Sequence, residues 1–533
     1  MNVLSLIFQY IKKKPIFFSI SFIAIVLDIV FALVPPLLLQ YGVDNIIMND
    51  DTTRLLPFVF IYVGAYFLLG LFDFLKGYLL IKISQGVCKE IRLGLLSHVQ
   101  SLSYLTFTSY DIGTIENYFT NEVDTINTLI SDGVISMAID LFKMIGVIIS
   151  LFCFSTNVGL ITLLLLPIII VFTLFIRKKM YIAQHERRKS ESNINKLMYE
   201  DISSSELIRT YSSYEYVTKK YESNLSLFFS SSIKSSLYDS FFSPVMQILK
   251  YGVITLFIVL SSYSPTIFSL SIGQIASLID LIGTLFTPIE AIGMEIQTIQ
   301  SSYASINRIN DFFKEKEDET KEEIISNTDN LSLEFKHVYF SYDKVNYVIN
   351  DFCLIVNQGQ KITFEGVSGV GKSTLFKLAY GLIKPDKGEV TCNGIPTYLL
   401  SPETRKNIFG IVFQDYFFSS DSIRNELTLR NTAVKEEEII SVLNIIGLSR
   451  VKDLDKKLNE KEYSSGELAL FNIARVLLSP SKIIFLDEMN SKIDPQAAKQ
   501  IICILNEYAK DKTVISISHF GELLKNSEKL TIK

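Results

Sequence analysis

Six stretches dominated by apolar residues, 16–40, 55–81, 134–155, 158–176, 241–262 and 272–293, punctuate the first three hundred residues. A helix needs about 20 largely apolar residues to cross a hydrocarbon core of roughly 30 Å, so each stretch predicts a transmembrane span. Only Thr156 and Asn157 separate the third from the fourth, and only 263–271 the fifth from the sixth, which predicts tight turns on one side of the membrane. The longer polar segments 82–133 and 177–240 then fall on the other side, with the N-terminus. Ile91, Leu93, Leu95, Leu96 and Val99 recur at helical spacing there, predicting helices that continue past the membrane surface and turn at elbows near 111–118 and 204–210.

Charge orients these spans. Lysine and arginine number three in the N-terminal tail, three in 82–133 and eleven in 177–240, against Arg54 alone in the opposite loops. The positive-inside rule places both termini and both long segments in the cytoplasm, and so the chain in the cell membrane. The apolar run after Lys12-Lys13-Lys14 has no small-residue cleavage site, so a retained helix is expected rather than a removed signal. Asp28, Asp73, Lys76, Asp140, Lys143, Lys250, Asp280 and Glu290 lie inside spans. Each such charge costs about 2.5–3.5 kcal/mol to insert, which predicts a polar cavity, foremost at Asp28 and Asp280. Asp140 and Lys143 are spaced to pair on one helix face, and Lys76 and Glu290 sit near enough to helix ends to snorkel.

The net charge of −5 gives no reason to expect nucleic acid as a partner. Cys88, Cys153, Cys353, Cys392 and Cys503 are scattered without a C-x-x-C pair or a histidine cluster, so neither a disulfide framework nor a zinc site is expected.

The pattern changes after a charged connector, 306–330. Strand-like runs then alternate with helical ones, as in an α/β nucleotide-binding fold. Gly366-Val367-Ser368-Gly369-Val370-Gly371-Lys372-Ser373 fits G-x-x-x-x-G-K-[ST], with a strand before it (361–365) and a helix opening at Thr374. Backbone N–H groups in such a loop surround phosphate oxygens, the lysine reaches the terminal phosphates, and the serine hydroxyl suits magnesium. Tyr342, ahead of the loop, could stack on adenine, and Gln414, after strand 409–413, could touch magnesium and the attacking water. Tyr463-Ser464-Ser465-Gly466-Glu467 opens a helix whose N-terminus suits another phosphate or is simply capped. Strand 483–486 ends in Asp487 and Glu488, suited to hold magnesium and to polarise water. Strand 514–518 ends in His519, placed to contact the γ-phosphate.

Taken in this order, the motifs resemble those of an ABC transporter half of the exporter type, over nearly all 533 residues. The resemblance implies an all-α polytopic transmembrane domain of six helices (1–305), the connector (306–330) and an α/β P-loop NTPase domain of ABC type (331–533). It makes Tyr342 the adenine-stacking aromatic, Gly366 through Thr374 the phosphate loop and Gln414 the Q-loop. Tyr463 through Glu467 match the signature LSGGQ, Asp487 and Glu488 the magnesium aspartate and catalytic glutamate, Ser491 through Asp494 the D-loop, and His519 the switch histidine. It implies ATP and Mg2+ as cofactors, a lipid bilayer and a second half-transporter as partners, in a homodimer or heterodimer, and Ser464, Ser465 and Gly466 closing over the partner subunit's ATP.

The chain departs from the family at Ser465 in place of glycine, at Glu467 in place of glutamine, and in Leu458-Asn459-Glu460-Lys461-Glu462, which lacks the glycine-containing pattern before the signature. It stops at Lys533 soon after an expected strand, 530–532, without the usual final helical segment. Because no peptidase domain precedes the first span, the chain is not expected to trim a leader from its cargo. The function expected is ATP-driven export, of a peptide ahead of a drug or lipid. The altered signature leaves a low-turnover ATP-binding receptor or immunity component as the alternative of another class.

Overall fold

The computed structural model describes residues 2–263, 270–318, 322–325, 330–415, 417–419, 421–487, 495–517 and 527–532, without the side chains of 293 and 495–500. Two compact units emerge, one of residues 1–100 and 110–315, the other of 101–109 and 316–533.

Among the described residues of the first unit, six helices are long and apolar enough to cross a membrane: Pro15–Ile47, Thr52–Ser101, Ile112–Phe154, Thr156–Ser203, Tyr214–Tyr263 and Ile272–Phe312. At 1.5 Å per residue the longest run roughly 75 Å, more than twice a bilayer core, so they extend well beyond the hydrocarbon as the periodicity predicts. The third and fourth spans are joined by Ser155 alone, whose extended backbone (φ −158°, ψ 129°) interrupts the helix. The turn is this tight because Gly159 lets Phe152 pack against its backbone; a Cβ there would lie 2.5 Å from the ring. Between the fifth and sixth spans, Ser271 caps the sixth by accepting from the Gln274 N–H, and Asp44 at the end of the first span binds Ser271 Oγ at 2.5 Å and Gly273 N at 2.8 Å. Met144, Leu151, Phe257, Phe286 and Ile289 form the packed interior, while Phe60, Phe67 and Leu164 face outward.

The sixth span continues to Phe312, beyond position 306 at which the charge run places the connector. Ile309 and Phe312 are buried, and Arg308 grips Glu122 through two bonds of 2.8 and 2.7 Å, which keeps this stretch helical.

The described residues of the second unit form two sheets. β1 (Leu333–Phe340), β2 (Ile349–Val356), β4 (Lys387–Cys392) and β5 (Ile395–Pro396) form an antiparallel sheet in the order β2-β1-β4-β5. β3 (Lys361–Glu365), β6 (Phe409–Val412), β7 (Ile483–Asp487), β8 (Thr513–Ile517) and β9 (Glu528–Thr531) form a parallel sheet in the order β6-β7-β8-β3-β9. Phe335, Phe340, Phe364, Phe376 and Phe485 fill the space between the sheets. A second core around Leu443, Leu458 and Phe471 lies beneath the helices Glu436–Ile445 and Ser465–Leu477.

Residues 101–109 belong to this unit although they follow the second span. The Ser103 N–H donates to Lys316 O (3.1 Å), and Tyr104 packs on the core with Lys377 Nζ over its ring. The two elbows expected from the sequence, near 111–118 and 204–210, both fall in the membrane unit.

Candidate nucleotide site

β3 ends at Glu365 and the helix Lys372–Ala379 begins seven residues on, so the phosphate loop sits at the carboxyl edge of the parallel sheet, where α/β folds place their ligands. Gly366, Gly369 and Gly371 have φ of 155°, 87° and 100°. At Gly371 the need for glycine is double: its φ is left-handed, and a Cβ would lie 2.7 Å from Ile349 Cδ1. No side chain among the described residues caps this helix, so its first N–H groups face the concavity of the loop. Val367, Ser368, Gly369 and Ser373 are exposed and Val370 is half-buried. Lys372 is buried, its Nζ donating to Gly366 O (2.8 Å) and Val367 O (3.0 Å). An ammonium whose partners among the described residues are its own loop's carbonyls can exchange them for phosphate oxygens with little motion.

Tyr342 is half exposed, and its hydroxyl lies 3.2 Å from Thr374 Oγ1, which sets the ring beside the loop. The turn presenting it is fixed by Asp343, whose carboxylate accepts from the N–H groups of Asn346 and Val345 and from Ser341 Oγ. The Asn346 and Val345 N–H bonds hold the Asp343 carboxyl far below the usual range.

β6 pairs with β7 so that Val412 faces Leu486, and β7 with β8 so that Asp487 faces Ile517. Gln414, exposed just past β6, and Asp487 at the tip of β7 therefore share the edge from which the phosphate loop springs. Burial drives the pKa of Tyr380 well above its ordinary value, and the negative charge of Asp487 adds to the shift. Glu488, Ser491–Asp494 and His519 lie outside the described residues.

The signature segment forms a reciprocal cap. Ser464 Oγ accepts from the Glu467 N–H at 3.2 Å, while Glu467 Oε2 accepts from the Ser464 N–H at 2.9 Å. Glu467 Oε1 also pairs with Arg450 at 2.7 Å. The Ser464 N–H, foremost, and the Arg450 charge hold the Glu467 carboxyl below its usual range. The cap reading of this segment is thus realised, and the serine hydroxyl expected to meet phosphate also touches Glu467 Oε2 at 3.1 Å. Ser465 and Gly466 open the helix Ser465–Leu477.

One element escaped the motif reading. Arg475, a lone base in the apolar run of the signature helix, binds Glu426 Oε2 at 2.7 Å, Glu426 O at 2.9 Å and Phe417 O at 3.0 Å. Glu426 also accepts from the Ser419 N–H at 2.9 Å, so the pair ties the stretch after Gln414 to the signature helix. A basic residue flanked by Ala474 and Val476 is the one sequence signal that could have marked it.

Together these features make the second unit an ATP-binding domain fused to a multi-pass membrane domain. Residues 18–289 match the ABC transporter transmembrane region and 349–491 the ABC transporter domain, and the chain belongs to the ABC transporter family, in its exporter-type architecture. It is 22% identical to the uncharacterized ABC transporter ATP-binding protein YfiC of Bacillus subtilis, over 99% of this chain and 89% of that protein. It is 24% identical to an ATP-dependent lipid A-core flippase of Desulfotalea psychrophila (92% and 87%). It is 25% identical to the transport/processing ATP-binding protein ComA of Streptococcus pneumoniae (100% and 75%).

Proposed function

We propose that this chain is one half of an ATP-driven exporter, with both termini in the cytoplasm and a cargo that carries charge, a peptide being the best-suited class. The observation that carries the cargo reading is a charge cluster in the spans. Asp28, fully buried, accepts from Lys76 and Lys143, each at 2.9 Å. Lys76 also binds Asp73 at 2.6 Å, and Asp28 Oδ1 finds no hydrogen-bond partner among the described residues. Lys143 thus pairs across helices rather than with Asp140 on its own. Charges at this depth are expensive, and a partner with both signs, such as a peptide, can exchange with them where an apolar drug or acyl chain cannot.

In this reading 1–305 carry the cargo path, 306–330 connect, and 331–533 turn over ATP. N–H groups of Gly366–Thr374 hold the phosphates, Lys372 gives up its loop carbonyls for phosphate oxygens, and Tyr342 lies along the adenine. Ser373, Gln414 and Asp487 offer hydroxyl, amide and carboxylate oxygens, the hard donors that Mg2+ takes, and the ion when bound neutralises charge developing on the phosphates. Glu488 accepts the proton of the attacking water and His519 contacts the γ-phosphate. Ser464, Ser465 and Gly466 close over the nucleotide of a second half-transporter, and hydrolysis reopens the pair.

Two outcomes test this. In nanodiscs, a peptide bearing both charges should stimulate ATP hydrolysis several-fold, and Asp28→Asn or Lys143→Met should remove the stimulation; stimulation by apolar dyes or lipid alone would move the cargo to the drug or lipid class. At the signature, Glu467→Gln should raise kcat/KM for ATP by about three- to tenfold, since a like charge near phosphate costs ~1 kcal/mol or more. Arg450→Ala, which leaves that charge uncompensated, should lower it. Equal rates in all three proteins would show that Glu467 is remote from the phosphates.

A further inference from the structure

We propose that His337, Asp351 and Cys353 form a binding site for a zinc-like divalent transition-metal ion on the outer antiparallel sheet, apart from the nucleotide site and independent of the cargo. Asp351 and Cys353 are two residues apart on β2, so they share a face, while Phe352 between them turns inward against Phe335 and Phe364. His337 comes from the neighbouring β1, where the pairing slips between Phe335 and Val338. That irregularity puts His337 at φ 47° and Asp351 at φ 50°, and brings the three side chains together.

Imidazole Nδ1 lies 2.7 Å from Asp351 Oδ1, and the Cys353 sulfur is 3.3 Å from the His337 N–H. A nitrogen, an oxygen and a sulfur ligand atom all lie within 4.8 Å of one another. A tetrahedral ion with bonds near 2.0–2.3 Å requires such atoms to be roughly 3.3–3.8 Å apart, so small side-chain rotations suffice. The donor set of thiolate, imidazole and carboxylate suits Zn2+ and related ions rather than Mg2+, which takes oxygen alone. Cys353 is a free, exposed thiol, and β2 is an edge strand, so the site is open to solvent and a fourth position can be filled by water. Five residues beyond His337 the same chain carries Tyr342, so an ion here would brace the strand that leads to the adenine-facing aromatic.

The test is Co2+ titration of the full chain in nanodiscs, purified with a tag free of histidine, thiols reduced and Mg2+ in excess. One equivalent should produce a thiolate-to-cobalt charge-transfer band that Zn2+ abolishes by displacement. Cys353→Ser should remove the band. His337→Asn, a residue that tolerates the same left-handed backbone, and Asp351→Asn should keep the band but weaken binding by at least about tenfold, as losing even an outer metal-ligand partner does. Cys503→Ser, also exposed, should change nothing. A metal-free melting temperature equal to the parent's confirms that each variant is folded. No charge-transfer band at saturating Co2+, or a band that survives Cys353→Ser, overturns the proposal.

Discussion

Glu488→Gln is expected to lower ATP hydrolysis by about 10²- to 10⁴-fold, the range a positioned general base contributes, equivalent to about 2.7–5.5 kcal/mol of barrier. The amide keeps the size of the side chain and can still hydrogen-bond water, but it cannot take the proton. ATP affinity should therefore survive while kcat falls, and the protein should hold unhydrolysed nucleotide. The measurement is phosphate release from the purified chain in lipid, beside nucleotide retention. Retained activity above about a tenth of the parent's would remove Glu488 from the role of base. If the parent itself is inactive, a missing partner chain or the low-turnover receptor reading takes precedence. The same experiment thus separates a homodimeric engine from the other two possibilities.

Arg475→Met should cost about 3–5 kcal/mol of local stability, because it strands the Glu426 carboxylate, whose side chain is only 5% exposed, without its counter-charge. The loss should be read by hydrogen exchange, as faster exchange in the helices Ile423–Thr428 and Ser465–Leu477, and by a lower melting temperature. Since Arg475 also holds Phe417 O, the stretch between Gln414 and Glu426 should loosen too. Replacing both partners, Arg475→Met with Glu426→Leu, should recover part of the stability, as buried pairs often exchange for apolar groups at small cost. A double variant no more stable than the single one would mean that the bonds to backbone carbonyls matter more than the pair.

What could be read in advance was whatever depends on local order in the chain. The six spans follow from apolar length, and the phosphate loop from glycine spacing between a strand and a helix. Partnerships across the fold were hidden. Lys143 has an acid three residues away, yet it pairs with Asp28 because side chains from three helices meet in one buried place, which no spacing within a single helix encodes. Cys353 looked isolated because His337 is sixteen residues off and reaches it only through a slipped strand pair. Glu467 shows in the sequence as a bare replacement of glutamine; that it pairs with Arg450 and completes a helix cap with Ser464 comes from residues brought together by the fold.

Residues 101–109 carry a practical lesson about where this molecule can be cut. They directly follow the second membrane span but fold with the nucleotide-binding unit, Tyr104 resting on its core. A fragment that begins at the connector would lack them, baring apolar surface beneath Tyr104 and leaving the backbone of Lys316 without its partner at Ser103. Grafts that exchange nucleotide-binding domains between relatives should therefore carry this nonapeptide along, or supply it as a separate peptide.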